Sequence, residues 1–201
     1  MSPGRLRDVA GAVLLGGAST RMGRDKAAVT LGGVALATRI ARRLAELCED
    51  VLLVGGTAPP DAAGRPVPDV DAPACPLRGL ASAFAAAHAE RVLVVATDLA
   101  LVTPALLLGL VAWPRAAAVA PRTGGRVQPL CALYERAPAL AVAERRLRGG
   151  RLSAHGLLEE LDAVYLDDAD LARLDPEARA LSNLNAPDEL AQAEAWLSRA
   201  T

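Results

Sequence analysis

Immediately after an apolar run the chain reads Gly16-Gly17-Ala18-Ser19-Thr20-Arg21-Met22-Gly23-Arg24-Asp25-Lys26. Glycines at this density let backbone N–H groups approach phosphate oxygens closely, and the concave nest they form favours anions. Arg21 and Lys26 add cationic charge where a triphosphate or a departing pyrophosphate would lie. The spacing is neither the GxxxxGK[ST] of a P-loop nor the GxGxxG of a dinucleotide fold. Lys26 is the sole lysine among 22 basic residues. In a chain that otherwise uses arginine, retention of a compact ammonium points to chemistry a planar guanidinium cannot replace.

Other chemistry-bearing residues stand further along. The run Arg91–Ala96 (RVLVVA) ends in Thr97-Asp98. A carboxylate there is a hard oxygen donor suited to Mg²⁺, which neutralises a polyphosphate, although Asp98 could instead cap the helix or turn ahead of Thr103-Pro104. Asp69 and Asp71 compete as a second acidic position. Asn183 and Asn185 are the only asparagines; Asn185 could cap the helix that follows, whereas Asn183 lies too far upstream for that duty. Arg145, Arg146, Arg148 and Arg151 form a basic cluster, suited either to a solvated helix end or to a phosphorylated acceptor. His88 and His155 fall on expected helices with no neighbouring nucleophile and read as structural. Cys48, Cys75 and Cys131 lack CxxC spacing, which fits a reducing cytosol.

The elements that must position these residues follow from periodicity. Continuous apolar runs at Val9–Leu15, Val51–Val54 and Arg91–Ala96 read as strands buried on both faces. Helices are expected at Leu36–Cys48, where Leu36, Ile40, Leu44 and Leu47 share a face, at Leu77–Glu90, and from Thr103-Pro104 onward. The proline-rich stretch Gly64–Pro76 allows at most a short strand near Val67. Strands are expected at Ala116–Ala120, Gln128–Glu135 and Val164–Leu166, and helices at Ala139–Arg148, Ser153–Leu161 and Pro187–Ser198. Such alternation predicts an α/β fold: a three-layer, Rossmann-like, mostly parallel sheet with right-handed crossovers.

Length and charge narrow the classes. A chain of 201 residues suits one domain, here 1–201, with a nucleotide-binding half at about 8–112 and an acceptor-binding half at about 113–201. The net charge of −1 offers nothing to nucleic acid or an anionic membrane. No apolar run approaches a membrane span, and the N-terminal AGAVLL is too short for a signal-peptide core, so a cytoplasmic protein is expected. The chain is 52% hydrophobic but only 2% aromatic, so Ala, Val and Leu must build the core.

The loop GGASTRMGRDK resembles the signature loop of the MobA-like NTP transferases, specifically the molybdenum cofactor guanylyltransferases, whose loop ends in Asp-Lys. Three more segments extend the likeness in order. Pro76-Leu77-Arg78-Gly79-Leu80 resembles a GPLAG segment, with Cys75 and Arg78 in place of Gly and Ala. Gln128-Pro129-Leu130-Cys131-Ala132-Leu133-Tyr134 resembles a QPLxALY strand. Asn183-Leu184-Asn185-Ala186-Pro187 resembles an N-x-N-x-P ending. One departure is Asp98-Leu99-Ala100, where the family usually has a proline two residues after the aspartate.

The resemblance implies a nucleotide-diphospho-sugar transferase-like fold and transfer of GMP from GTP to molybdopterin with release of pyrophosphate. It implies Leu14, Gly16, Gly17, Ser19, Arg21, Gly23, Lys26 and Asp69 on the nucleotide, and Asp98 on Mg²⁺. Lys26, Arg21 and Asp98 would carry catalysis, and Asn183 and Asn185 would face the acceptor. Transient contact with cofactor-biosynthesis proteins or molybdoenzymes is a further expectation. A cytidylyl- or sugar-phosphate nucleotidylyltransferase, or a non-catalytic nucleotide-binding adaptor that delivers the cofactor, is the alternative.

Overall fold

The computed structural model describes residues 4–16 and 29–199. Strand β1 (Val9–Leu14) is buried at every position. Its side chains alternate between two cores: Val9 and Val13 join one, while Ala10, Ala12 and Leu14 join the other. That is the period-2 geometry of a strand covered on both faces. Helix α1 (Leu36–Leu47) buries Leu36, Ile40 and Leu44 on the first face. It packs closely because Gly11 has no side chain: a Cβ there would lie 2.9 Å from that of Leu44. Ahead of α1 stands a two-stranded hairpin, β2 (Thr30–Leu31) with β3 (Val34–Ala35).

The chain continues through β4 (Val51–Val54), β5 (Arg65–Val67), α2 (Pro76–Ala86), β6 (Arg91–Ala96) and α3 (Pro104–Ala112). It then forms β7 (Ala118–Thr123), β8 (Arg126–Val127), β9 (Cys131–Glu135) and α4 (Arg136–Arg148). The last elements are α5 (Ala154–Glu160), β10 (Val164–Leu166), α6 (Asp168–Leu174) and α7 (Pro187–Arg199).

Among the described residues the main sheet has eight strands, in the order β10-β7-β9-β6-β1-β4-β5 with β8 paired to β7. Pairing is parallel from β6 through β1 and β4 to β5, and again between β10 and β7. Strand β9 runs antiparallel to both β6 and β7. Helices α1, α3, α6 and α7 contribute to the core on one face, and α2, α4 and α5 to the core on the other. This is the three-layer, mostly parallel mixed sheet expected from the sequence.

Four local expectations are corrected. Helix α2 stops at Ala86, short of the expected Glu90, because Ala87 turns extended so that the chain can enter β6. His88 is therefore not helical; it is exposed in the connecting turn, and His155 is exposed on α5. The strand expected from Gln128 begins only at Cys131, since Gln128 to Leu130 form a turn in which Cys131 N–H donates to the Gln128 carbonyl. Helix α4 starts at Arg136, three residues before the expected Ala139. Helix α6 was not foreseen; the Asp167 carboxylate caps it by accepting from the N–H groups of Ala169 and Asp170.

The arginine cluster is a solvated helix end in three of its members, Arg145, Arg148 and Arg151, which are exposed, while Arg146 is drawn inward. Arg145, Arg146 and Arg151 all donate to the Glu160 carboxylate, and Arg146 is only 7% exposed. Gly156 makes room for it, since a Cβ there would collide with the Arg146 guanidinium. Arg148 pairs at longer range, 3.6 Å from Glu144.

Candidate active site

Parallel strands present their carboxyl ends on one edge, and ligands of open α/β sheets bind in the crevice outside that edge. Here the edge opens into a cavity of about 650 Å³. Leu14, Leu15 and Gly16 at the end of β1 form its floor together with Val54 and Gly56 after β4. Asp69, Cys75, Pro76, Arg78 and Gly79 build one wall, and Ala96, Thr97, Asp98 and Leu130 the other. Leu14, Gly16, Asp69 and Asp98 are thus brought together as expected. Gly17, Ser19, Arg21, Gly23 and Lys26 lie outside the described residues, but Gly16 delivers the chain into that loop from the crevice floor.

The two aspartates stand at equivalent places. Asp98 is two residues beyond the end of β6, and Asp69 two residues beyond the end of β5. Between these strands lie β1 and β4. Three strand steps of roughly 4.8 Å separate the acids by about 14 Å, a span suited to a nucleotide laid across the sheet edge. The competing Asp71 is exposed and lines a different, smaller groove with Val70, Leu140 and Arg148.

Buried Thr97, a residue the sequence did not single out, fixes the Asp98 turn. Its hydroxyl donates to the Leu14 carbonyl at 2.7 Å, and its N–H reaches the same oxygen at 3.2 Å. The turn closes without the proline usual in the family: Leu99 N–H donates to the Ala96 carbonyl, and Leu99 and Ala100 are buried. Helix capping belongs to Thr103, whose hydroxyl accepts from Leu106 N–H, so Asp98 is not the cap.

Asp69 is held from several sides. Arg78 Nη2 lies 2.8 Å from Asp69 Oδ2. Gly55, at φ 66°, leaves the space the carboxylate occupies; a Cβ there would sit 3.0 Å from Oδ2. Ser82 Oγ donates to the Arg78 carbonyl at 2.8 Å and accepts from Val70 N–H, which pins the loop carrying Asp69 to α2.

The C-terminal asparagines reach the same edge. Leu184 N–H donates to the Asp98 carbonyl at 2.9 Å, so Asn183 and Asn185 flank a residue bonded to the Asp98 turn. Asn183 is exposed and Asn185 half-buried. The N–H groups of Asn185 and Ala186 donate to Glu189 Oε2, which closes the start of α7 from within the helix. Helix α7 also reaches the hairpin after the Gly-rich loop, where Gly32 N–H donates to Glu194 Oε1. The Arg145–Arg151 cluster, committed largely to Glu160, is not among the residues that line the crevice.

A crevice at the carboxyl edge of a mostly parallel sheet, with Asp98 just beyond a central strand, suits an α/β enzyme of the nucleotidyltransferase class. Residues 11–164 match the model of the MobA-like NTP transferase domain, and the chain belongs to that family. A relative from Chloroflexus aggregans, 34% identical over 94% of this chain and 95% of its own, is named a probable molybdenum cofactor guanylyltransferase. One from Cereibacter sphaeroides, 33% identical over 94% and 97%, is named a molybdenum cofactor guanylyltransferase. The solved structure of the molybdopterin-guanine dinucleotide biosynthesis protein A of Archaeoglobus fulgidus superposes with a TM-score of 0.81 at 25% identity, covering 94% of this chain and 99% of that one.

Proposed function

We propose that this enzyme transfers GMP from GTP to molybdopterin, free or metal-loaded, to form the guanine dinucleotide cofactor. The observation that carries this reading is the full-length likeness to molybdenum cofactor guanylyltransferases, in a chain whose Asp98 lines the crevice and whose Leu184, between the two asparagines, is hydrogen-bonded to the Asp98 carbonyl. An oxygen of the acceptor's terminal phosphate attacks the α-phosphorus of GTP. The bond from that phosphorus to the bridging oxygen breaks, and pyrophosphate leaves with the electron pair.

Chemistry of this kind depends on positioning and charge stabilisation more than on a covalent intermediate. Asp98 stands at the phosphate end of the crevice, next to Thr97, whose hydroxyl anchors the turn to the Leu14 carbonyl, and Asp69 at the base end. Lys26 and Arg21 of the Gly-rich loop stabilise the departing pyrophosphate. Asn183 and Asn185 receive the acceptor beside Asp98. Mg²⁺ is ordinarily bound through one or two carboxylates with substrate phosphates completing its shell, and the donor set fits, because Asp98 supplies one such carboxylate facing the crevice. When bound, the ion would neutralise polyphosphate charge.

No helix among the described residues is long and apolar enough to cross a membrane, and action in the cytoplasm on small-molecule substrates is part of the proposal. Pyrophosphate release should be measured with each of the four nucleoside triphosphates plus molybdopterin. Release with GTP is expected; release with CTP in preference would replace the guanylyl assignment by a cytidylyl one.

A further inference from the structure

Arg78 occupies the place where the related segment has alanine, yet it points into the crevice rather than away from it. Its side chain is 28% exposed and that of Asp69 is 23% exposed, so the ion pair is partly withdrawn from solvent screening. One guanidinium nitrogen engages Asp69 Oδ2 at 2.8 Å, and the other reaches back to the Ala72 carbonyl at 3.4 Å. The guanidinium therefore ties the carboxylate to the loop that precedes α2. Among the described residues, the hydrogen-bonding group near the remaining oxygen, Oδ1, is the Ser82 hydroxyl, at 3.5 Å. That hydroxyl has one proton, and it is better placed for the Arg78 carbonyl at 2.8 Å. Oδ1 is left as an acceptor at the end of the crevice about 14 Å from Asp98.

We propose that Arg78 is a positioning residue for base selection: by clamping Asp69 Oδ2 it aims Oδ1 at the N–H donors on the guanine edge. This rests on the guanylyltransferase reading and adds to it a residue that departs from the family segment. A guanine presents N1–H and a 2-amino group, and a fixed carboxylate accepts from both. Cytosine has no N–H at its ring N3 and offers a single amino group, so a carboxylate locked in one orientation discriminates against it. A carboxylate free to rotate would lose that discrimination while leaving the phosphate end untouched.

The test compares GTP, CTP, inosine triphosphate (which lacks the 2-amino group) and inorganic pyrophosphate, each titrated calorimetrically with Mg²⁺, with pyrophosphate release from GTP followed alongside. The proteins are wild type, R78A, R78K, D69A and the D69A/R78A double variant. Wild type should prefer GTP over inosine triphosphate about tenfold or more, as expected of one lost charge-assisted hydrogen bond. R78A should shrink that ratio several-fold, with the loss in turnover falling on KM rather than kcat. R78K should recover part of it, and R78A should add nothing to D69A. Pyrophosphate affinity should not move.

A wild-type ratio retained in R78A would overturn the proposal. So would an equal loss for GTP, inosine triphosphate and pyrophosphate, which marks a plain anion contact. Wild-type protein that prefers another base would overturn the guanylyl reading itself, a different outcome from either. If R78A fails to fold, R78Q and R78K carry the same comparison.

Discussion

The Leu184 N–H donates to the Asp98 carbonyl at 2.9 Å, tying the asparagine segment near the C-terminus to the residue at the end of β6. Residues 86 positions apart in sequence thus meet through one backbone hydrogen bond. A phosphorylated acceptor bound by the asparagines would arrive beside the carboxylate proposed to face the nucleotide's phosphates.

Asp98→Asn keeps the shape of the side chain and removes its charge. Pyrophosphate release should fall by roughly 10²-fold or more, while the melting temperature changes by no more than about 2 °C. Lys26→Ala should lose turnover similarly. Near-normal turnover in both, or unfolding of either, would remove them from the catalytic set.

Asn183→Asp places a negative charge where the acceptor phosphate is proposed to bind. Because Asn183 is exposed, the loss of molybdopterin affinity should be modest, about 1 kcal/mol. GTP affinity should hardly change. Calorimetric titration of each ligand decides it: a variant that loses GTP and keeps molybdopterin reverses the two ends of the crevice.

Cysteine labelling offers a test without the acceptor. Burial pushes the thiols of Cys48 and Cys131 up to about 12 each, so neither should react with a thiol reagent in the native state. Cys75 is half-buried and lines the crevice. One thiol should therefore label in native protein and three after denaturation. GTP at ten times its Kd should slow that one reaction about tenfold, by simple occupancy. Unchanged labelling would place the nucleotide elsewhere.

Glu160 sets a pH dependence. Its hydrogen bond from Arg145, followed by those from its other arginine partners, holds its carboxyl below the usual 4.5. A depressed folded value means the stabilisation is complete above the unfolded value and is lost as pH falls through the folded one. Between about pH 5 and 3, wild type should therefore lose stability more steeply than Glu160→Gln, measured by denaturant midpoints at each pH. Parallel curves would contradict the assignment.

What could be read in advance followed burial on two faces. The runs Val9–Leu15 and Arg91–Ala96 announced central strands because, after Arg91, every residue in them is apolar. Leu36, Ile40 and Leu44 announced α1 because only one helical face needed covering. Asp98 could be placed once its strand was known, since the carboxyl end of a parallel strand is a position as well as a residue. Helix α6 gave no such signal: it buries only Leu171, and its start rests on Asp167 and Asp170 capping each other. The burial of Arg146 was equally silent, because its three-arginine arrangement depends on Glu160, brought back by α5. The Arg78–Asp69 pair joins a loop to a helix turn nine residues on, and no periodicity links the two. The roles of Arg21 and Lys26 rest on sequence, since both lie outside the described residues.

The place of β9 in the sheet has a consequence for how the chain can be divided. Strand β9 inserts between β6 and β7, pairing from Arg91↔Glu135 to Val95↔Cys131. A fragment ending at Ala112 would strip β6 of that neighbour and leave an apolar edge of Val92 to Val95 with unsatisfied backbone groups. Such an edge is a template for intermolecular strand pairing and aggregation. The segment proposed to recognise the nucleotide is therefore not a module that can be excised. A chimera that exchanges the second half between relatives must carry over β9 in register with β6, or it will trade substrate specificity for insolubility.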